Sequence, residues 1–257
     1  MPETVSSNGG AAPSSELSPN RSRLAGGPDK ARYIARCADN LPNASAAWDD
    51  LAWSRAETLT IARFHPRGTG SPGSNHRPAT QVRLLYDGQA LGLIFRVEDR
   101  YVLARNTEFQ SPTHKDSCVE FFVRPRPDRG YFNFEFNAIG TLRLWYVEKP
   151  RRADGSFEKY TEVPKDIAST IEVCASQAEP IREEVPGPVV WTVSYRVPLA
   201  LFEGFIGPLG ALSGHTWHAN FYKCADDSSH PHWGYWADIG DRLDFHQPGR
   251  FGEIIFE

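Results

Sequence analysis

The chain has 257 residues, 40% of them hydrophobic, and a formal charge of −4 from 28 basic and 32 acidic side chains. That is enough apolar material for one large β domain or two small ones, and it rules out a chain that is disordered throughout. Acids and bases are interspersed without a basic patch, which argues against nucleic acid as a partner, and no apolar stretch approaches the ~20 residues a membrane helix needs.

Residues 1–30, MPETVSSNGGAAPSSELSPNRSRLAGGPDK, are rich in Ser, Pro, Gly and Ala and nearly free of large apolar side chains. Such a segment cannot offset the entropy cost of ordering and is predicted to be a disordered tail. It has no basic stretch followed by an apolar one, so no signal peptide is written in it. The expectation is a soluble protein, secreted if a leader was removed and otherwise cytoplasmic.

From residue 80 onward the chain reads as short alternating or apolar runs divided by Gly, Pro and Asp. QVRLLYD (81–87) and ALGLIFRV (90–97) flank Gly88 as a hairpin. DSCVEFFVR (116–124), YFNFEFN (131–137), TLRLWYV (141–147), VVWTVSYRV (189–197), TWHANFYKC (216–224) and RFGEIIF (250–256) follow. PLALFEG, opened by Pro198, is the main helical candidate. Many short strands with one or two short helices predict an all-β chain, a single antiparallel β-sandwich spanning 31–257.

One hairpin can be taken to its register. In YFNFEFN, Phe132, Phe134 and Phe136 share a face, and Tyr131, Asn133, Glu135 and Asn137 share the other. In TLRLWYV, Leu142, Leu144 and Tyr146 oppose Thr141, Arg143 and Trp145. The two apolar faces coincide only if Phe136 lies opposite Leu142, with a three-residue loop and Gly140 left-handed. Glu135 then faces Arg143, and Asn133 faces Trp145. This second face is either a solvated surface with a cross-strand ion pair or one wall of a sugar site. Amide, acid, guanidinium and ring are the groups that match hydroxyls and C–H faces.

HPHWGYWADI (230–239) crowds Trp233, Tyr235 and Trp236 into a stretch with no clean period. Those rings either close a core or form a platform for a flat ligand. The histidines of HPH are a weak zinc candidate, because a proline separates them and no third ligand is evident. Cys37, Cys118, Cys174 and Cys224 are scattered without a CxxC pair, which argues against a zinc knuckle or redox dithiol. Disulfides and buried thiols both remain open, and the apolar strand patterns around Cys118 and Cys224 favour thiols. GPLGALSG (207–214) lacks the lysine and spacing of a phosphate loop.

The series AWDDLAW (47–53), QVRLLYDGQALGLIFRVED, HKDSCVEFFVRP, YFNFEFNAIGT, VVWTVSYRVPLALF, WHANFYKC and FHQPGRFGEIIFE resembles, in order, the family 9 carbohydrate-binding modules and their DOMON-related kin. The stretch 150–188 matches no part of that pattern. The resemblance implies a non-catalytic β-sandwich in the service of polysaccharide breakdown, gripping a mono- or oligosaccharide between rings. Carried over, it makes Glu120 a hydroxyl acceptor, puts His114 where members can place a ring, makes Trp233 or Trp236 the stacking platform, and sets Asn220 on the strand leading there. With the hairpin's Asn133, Glu135, Arg143 and Trp145, these are the candidate ligand-binding residues.

No essential cofactor is expected; the resemblance implies structural calcium, for which Asp226-Asp227 or Asp49-Asp50 could serve. Two rival chemistries follow. A glycoside hydrolase would use Glu120 and Glu135, although Arg143 opposite Glu135 would keep that carboxyl ionised. A haem site would need two of His114, His215, His218, His230, His232 and His246, since Met1 is the sole methionine.

Overall fold

The computed structural model describes residues 30–66, 73–151 and 156–257. The expected tail lies outside them apart from Lys30. Sixteen strands and two α-helices form among the described residues. The first strands are β1 (Arg32–Cys37), β2 (Leu59–Ile61), β3 (Arg63–Phe64), β4 (Ala79–Tyr86), β5 (Ala90–Asp99) and β6 (Val102–Ala104). Then come β7 (Cys118–Arg124), β8 (Tyr131–Asn137), β9 (Leu142–Arg151), β10 (Phe157–Glu162), β11 (Glu172–Ala175) and β12 (Ile181–Val185). The last are β13 (Val189–Pro198), β14 (Thr216–Cys224), β15 (Trp233–Tyr235) and β16 (Gly252–Phe256). The helices are α1 (Lys165–Ala168) and α2 (Leu199–Ile206).

The strands make two layers. One runs β10-β9-β8-β7-β14-β16-β1 and the other β1-β4-β5-β13-β11, so β1 belongs to both. Residues 32–35 of β1 pair with β16, and Arg36 and Cys37 turn to pair with β4. Both pairings are parallel; the principal pairings of the two layers are otherwise antiparallel. A strand that switches sheets in this way closes one corner of a sandwich.

Period-two alternation decides which side chains meet between the layers. Phe121, Phe134, Phe136 and Phe221 point inward from the first layer and meet Phe95 and Tyr195 of the second. Phe136 and Tyr195 stack at 4.5 Å, and Phe95 lies 6.1 Å from Phe221. Each fully buried ring of this kind contributes roughly 1.5–3 kcal/mol of hydrophobic stabilisation.

The β8–β9 register is the expected one: Phe136 opposes Leu142, Glu135 opposes Arg143, and Asn133 opposes Trp145. Gly140 turns the loop at φ 81°, a left-handed conformation that costs a residue with Cβ far more than glycine. The second face of that hairpin is not a solvated surface. Asn133 is fully buried and Glu135 and Trp145 nearly so, because the segment after β14 folds over it. Phe122, Tyr131, Trp145 and Tyr222 from the sheet pack there with Tyr235, Ile239 and Phe251 from that segment.

One polar cluster sits inside the sandwich. Lys223 lies on the inward parity of β14, fully buried, with its ammonium 3.3 Å from Asp99 Oδ2. Lys223 donates to His232 Nε2 at 2.8 Å, and Trp191 Nε1 donates to Asp99 Oδ2 at 3.2 Å. Burial opposes the charge on Asp99, but Lys223 and His76 prevail and hold its carboxyl far below the ordinary range. Burial and the neighbouring ammonium keep His232 neutral. The two histidines of HPH therefore part company, since His230 stacks on Tyr101 at 3.6 Å instead.

Candidate functional site

The outward face of β7, β8 and β9 forms the floor of a cavity of about 290 Å³. Alternation along β7 sends Val119 and Phe121 into the core and Cys118 and Glu120 outward. On β8 the same parity presents Glu135, and on β9 Arg143 and Trp145. Glu120 and Glu135 are direct cross-strand partners, so two carboxyls stand side by side on one floor. His114 enters from a single 3₁₀ turn, Thr113–Lys115, just ahead of β7. The roof comes from the segment after β14: Asp226, Trp233, Leu243, Asp244, Phe245 and His246.

Each wall is braced. Trp233 lies on β15, which pairs with Tyr222–Cys224 of β14 on one side and with β3 on the other. Its indole Nε1 donates to Asp226 Oδ1 at 2.7 Å, and the ring packs on Cys118 and Cys224. Asp226 and Asp227 are tied to the His114 turn by their backbone N–H groups, which donate to the carbonyls of His114 and Lys115. Phe245 stacks on Tyr222 at 4.0 Å, and the Tyr222 hydroxyl donates to the Phe245 carbonyl at 2.9 Å. His246 Nδ1 pairs with the Tyr131 hydroxyl at 2.7 Å.

The two carboxyls are tuned apart. Burial, and then the neighbouring Glu135, push Glu120 well above the usual carboxylate range. Burial also acts on Glu135, but His114 and Arg143 outweigh it and hold that carboxyl below its usual value. Arg143 does not form the expected salt bridge with the residue opposite it. Its guanidinium donates to His114 Nδ1 at 3.1 Å and covers the Trp145 ring 3.9 Å from the ring centre. Tyr160 lies against Trp145 at 4.6 Å, so that indole is already packed on its faces.

Among the described residues, four buried polar atoms on these walls have no hydrogen-bond partner: Glu120 Oε2, Glu135 Oε2, Arg143 Nε and Trp145 Nε1, with Glu135 Oε2 3.8 Å from the His114 ring. Two accept or can be protonated, and two donate. Buried polar groups are normally satisfied, and each exception in a folded protein calls for an explanation. Four exceptions around one cavity fit a ligand that both donates and accepts at close spacing.

Of the residues the sequence offered, His114, Glu120, Glu135, Arg143, Trp145 and Trp233 line this cavity together. Three do not. Trp236 has the opposite parity from Trp233 and enters the main core, 5.6 Å from Phe221. It lies so close to Gly252 that a Cβ there would meet the indole at 2.5 Å. Asn220 clasps the backbone of Ala237 with both ends of its amide, at 3.0 and 2.8 Å, and so fixes the segment that carries the rings. Asn133 lies beneath the floor, where it donates to Glu135 Oε1 at 2.6 Å and accepts from Trp145 N at 2.9 Å. Sequence reading missed Phe157, Cys224, Leu243, Asp244, Phe245 and His246. Of these, Cys224 lay at the end of WHANFYKC, and Phe245 and His246 lay within the closing motif FHQPGRFGE.

Three of the four aspartates offered for calcium have partners within the chain. Asp226 accepts from Trp233, Asp227 lies 3.9 Å from Lys115, and Asp50 caps the 3₁₀ turn at Leu51–Trp53. Among the described residues, neither pair joins a group of three ligating side chains. No described helix is long and apolar enough to cross a membrane.

Comparison with known proteins brings in a family. The model for carbohydrate-binding family 9 matches residues 70–256. A Bacteroides uniformis crystal structure, provisionally designated a carbohydrate-binding protein, is 26% identical with a TM-score of 0.75, covering 89% of this chain and 100% of that one. A family 9 module from Caldicellulosiruptor kristjanssonii in complex with glucose is 16% identical with a TM-score of 0.57, over 88% of this chain and 95% of its own. The same organism's family 9 module in complex with cellotriose gives a TM-score of 0.56 at 16% identity, over 88% of this chain and 93% of that one. An Arthroderma benhamiae protein described as extracellular is 24% identical over 194 residues, 72% of this chain and 82% of that protein.

Proposed function

We propose that this chain, which belongs to carbohydrate-binding family 9, is a non-catalytic module that holds a saccharide in the cavity over β7, β8 and β9. The carrying observation is the set of four buried polar atoms without a hydrogen bond around one ring-lined space. A sugar hydroxyl donates one hydrogen bond and accepts others, so vicinal hydroxyls can satisfy mixed donors and acceptors at once. Rings supply the rest: Trp233, Phe157 and Phe245 offer apolar surface to the C–H faces of a pyranose. Glu135 contributes an ionised acceptor and Glu120 a carboxyl that can donate. Glucose and cellotriose, the ligands of the similar Caldicellulosiruptor module, are the first sugars to try.

The size of the cavity limits what it takes. About 290 Å³ is at the small end of ligand sites, which run roughly 300–1,000 Å³. One or two sugar units fit, and a longer chain must project into solvent.

Hydrolysis is disfavoured by placement. A hydrolase needs its two carboxyls on opposite sides of the scissile bond. Glu120 and Glu135 sit on adjacent strands of one floor, so a sugar would rest above both and not pass between them. The test is calorimetry against glucose, cello-oligosaccharides and unrelated glycans, with reducing-sugar release measured in parallel. Saturable binding without release is expected; release of sugar from a bound oligosaccharide would overturn the non-catalytic reading, and failure to bind any glycan would overturn the module itself.

A further inference from the structure

We infer that Cys118, Cys224 and Glu120 form a binding site for a soft divalent cation of the zinc class at the inner end of this cavity. The site shares Glu120 with the proposed saccharide contacts; with a cation bound that carboxyl no longer donates, and Glu135, Arg143 and Trp145 remain for a sugar. Cys118 and Cys224 are direct partners across the β7–β14 pairing, and Glu120 is two residues along β7 on the same face. The two sulfurs and one carboxylate oxygen all lie within 4.8 Å of one another, and all three side chains are buried. Tetrahedral zinc, with Zn–S near 2.3 Å and Zn–O near 2.0–2.2 Å, requires ligand atoms roughly 3.5–3.8 Å apart. Small rotamer shifts bring these donors there.

A second observation points to a ligand. Glu120 is 2% exposed, yet its Oε2 has no partner, while its Oε1 accepts from the Cys224 thiol at 3.1 Å. The carboxyl is thus held beside the sulfurs with one oxygen free. Cys224 and Glu120 also line the open cavity, which gives a cation a way in and leaves a fourth position for water or for Asp226. Two thiol ligands select zinc or cadmium over calcium or magnesium, which prefer oxygen alone.

Binding must expel protons. Burial pushes the Cys118 thiol up to about 12, and burial with Cys118 alongside holds Cys224 well above the ordinary thiol range. A divalent ion displaces both thiol protons, and a third where Glu120 is still protonated. The resulting complex carries one negative charge. Arg143 and Lys223 favour it, while Glu135 and Asp226 oppose it; His114 also faces the site through its carbonyl. Affinity should therefore rise steeply with pH.

The test uses the full chain with exposed Cys37 and Cys174 replaced by serine, reduced and stripped with a chelator, and titrated with cadmium and then with zinc. One equivalent of cadmium with a thiolate-to-metal ultraviolet band is expected, and zinc should displace it. Cys118→Ser or Cys224→Ser should each weaken binding by more than about 100-fold, since loss of a direct ligand exceeds the roughly 10–100-fold cost of disturbing an outer partner. Glu120→Gln should weaken binding while leaving the band. Melting curves of the metal-free variants check folding, with Cys224→Ala as the substitute if serine is not tolerated. No band in the reduced parent, or a band that survives both cysteine changes, would overturn the site.

Discussion

Replacing Glu135 by Gln isolates the contribution of one charge to saccharide binding, because the two side chains are nearly isosteric. In the folded chain Glu135 Oε1 accepts from Asn133 at 2.6 Å, a bond that a glutamine carbonyl can keep. Oε2, which has no hydrogen bond and lies 3.8 Å from His114 Nδ1, becomes an amide N–H₂, so an ionised acceptor is exchanged for a neutral donor at the cavity surface. Hydrogen bonds to charged groups contribute about 1.5–3 kcal/mol, and tenfold in affinity is 1.4 kcal/mol. The expected loss is thus roughly 10- to 150-fold in Kd. Stability should fall somewhat at neutral pH, since the amide loses the attraction of His114 and Arg143 that holds the carboxyl low in the folded chain. Calorimetry with cellotriose and a melting curve on the same preparation decide the matter. Affinity within twofold of the parent, in a variant that still unfolds cooperatively, would mean that Glu135 Oε2 does not touch sugar.

The two tryptophans should separate cleanly: Trp233→Ala is expected to lose about tenfold or more in affinity, whereas Trp236→Ala should cost about 3–5 kcal/mol in denaturant titration as a core truncation and leave the remaining folded protein binding normally. Asp99→Asn leaves the fully buried Lys223 without its counter-charge and should destabilise by about 3–5 kcal/mol; a loss below 1 kcal/mol by urea unfolding would refute the pairing. The carboxyl of Asp99 is held low, so its stabilisation is present above the unfolded pKa and is lost as pH falls through the folded one. Glu120 runs the other way: its raised folded value means that its contribution is complete below the unfolded pKa and is lost as pH rises through the folded one. Glu120→Gln should therefore raise the melting temperature most at alkaline pH and flatten its pH dependence, and parallel curves for parent and variant would contradict the assignment.

What the sequence determined by itself is whatever follows from alternation. Parity along YFNFEFN and TLRLWYV, with one glycine able to turn left-handed, left a single register in which both apolar faces reach the core, because a one-residue slip would invert every side chain. That register carried Glu135, Arg143 and Trp145 to one face, where the structure has them. Only the tertiary structure decided that this face is buried, since the covering segment arrives from residues far along the chain and leaves no periodic trace on the strands it covers. It also decided between Trp233 and Trp236. Pairing of β15 with β14 sets their parity, and nothing in HPHWGYWADI shows that a three-residue strand begins at Trp233. The cysteines are the plainest case. Spacing along the chain argued against a metal pair, yet the β7–β14 register sets Cys118 directly across from Cys224. Which strands become neighbours in a sandwich depends on the packing of two whole layers, and no local run of residues contains it.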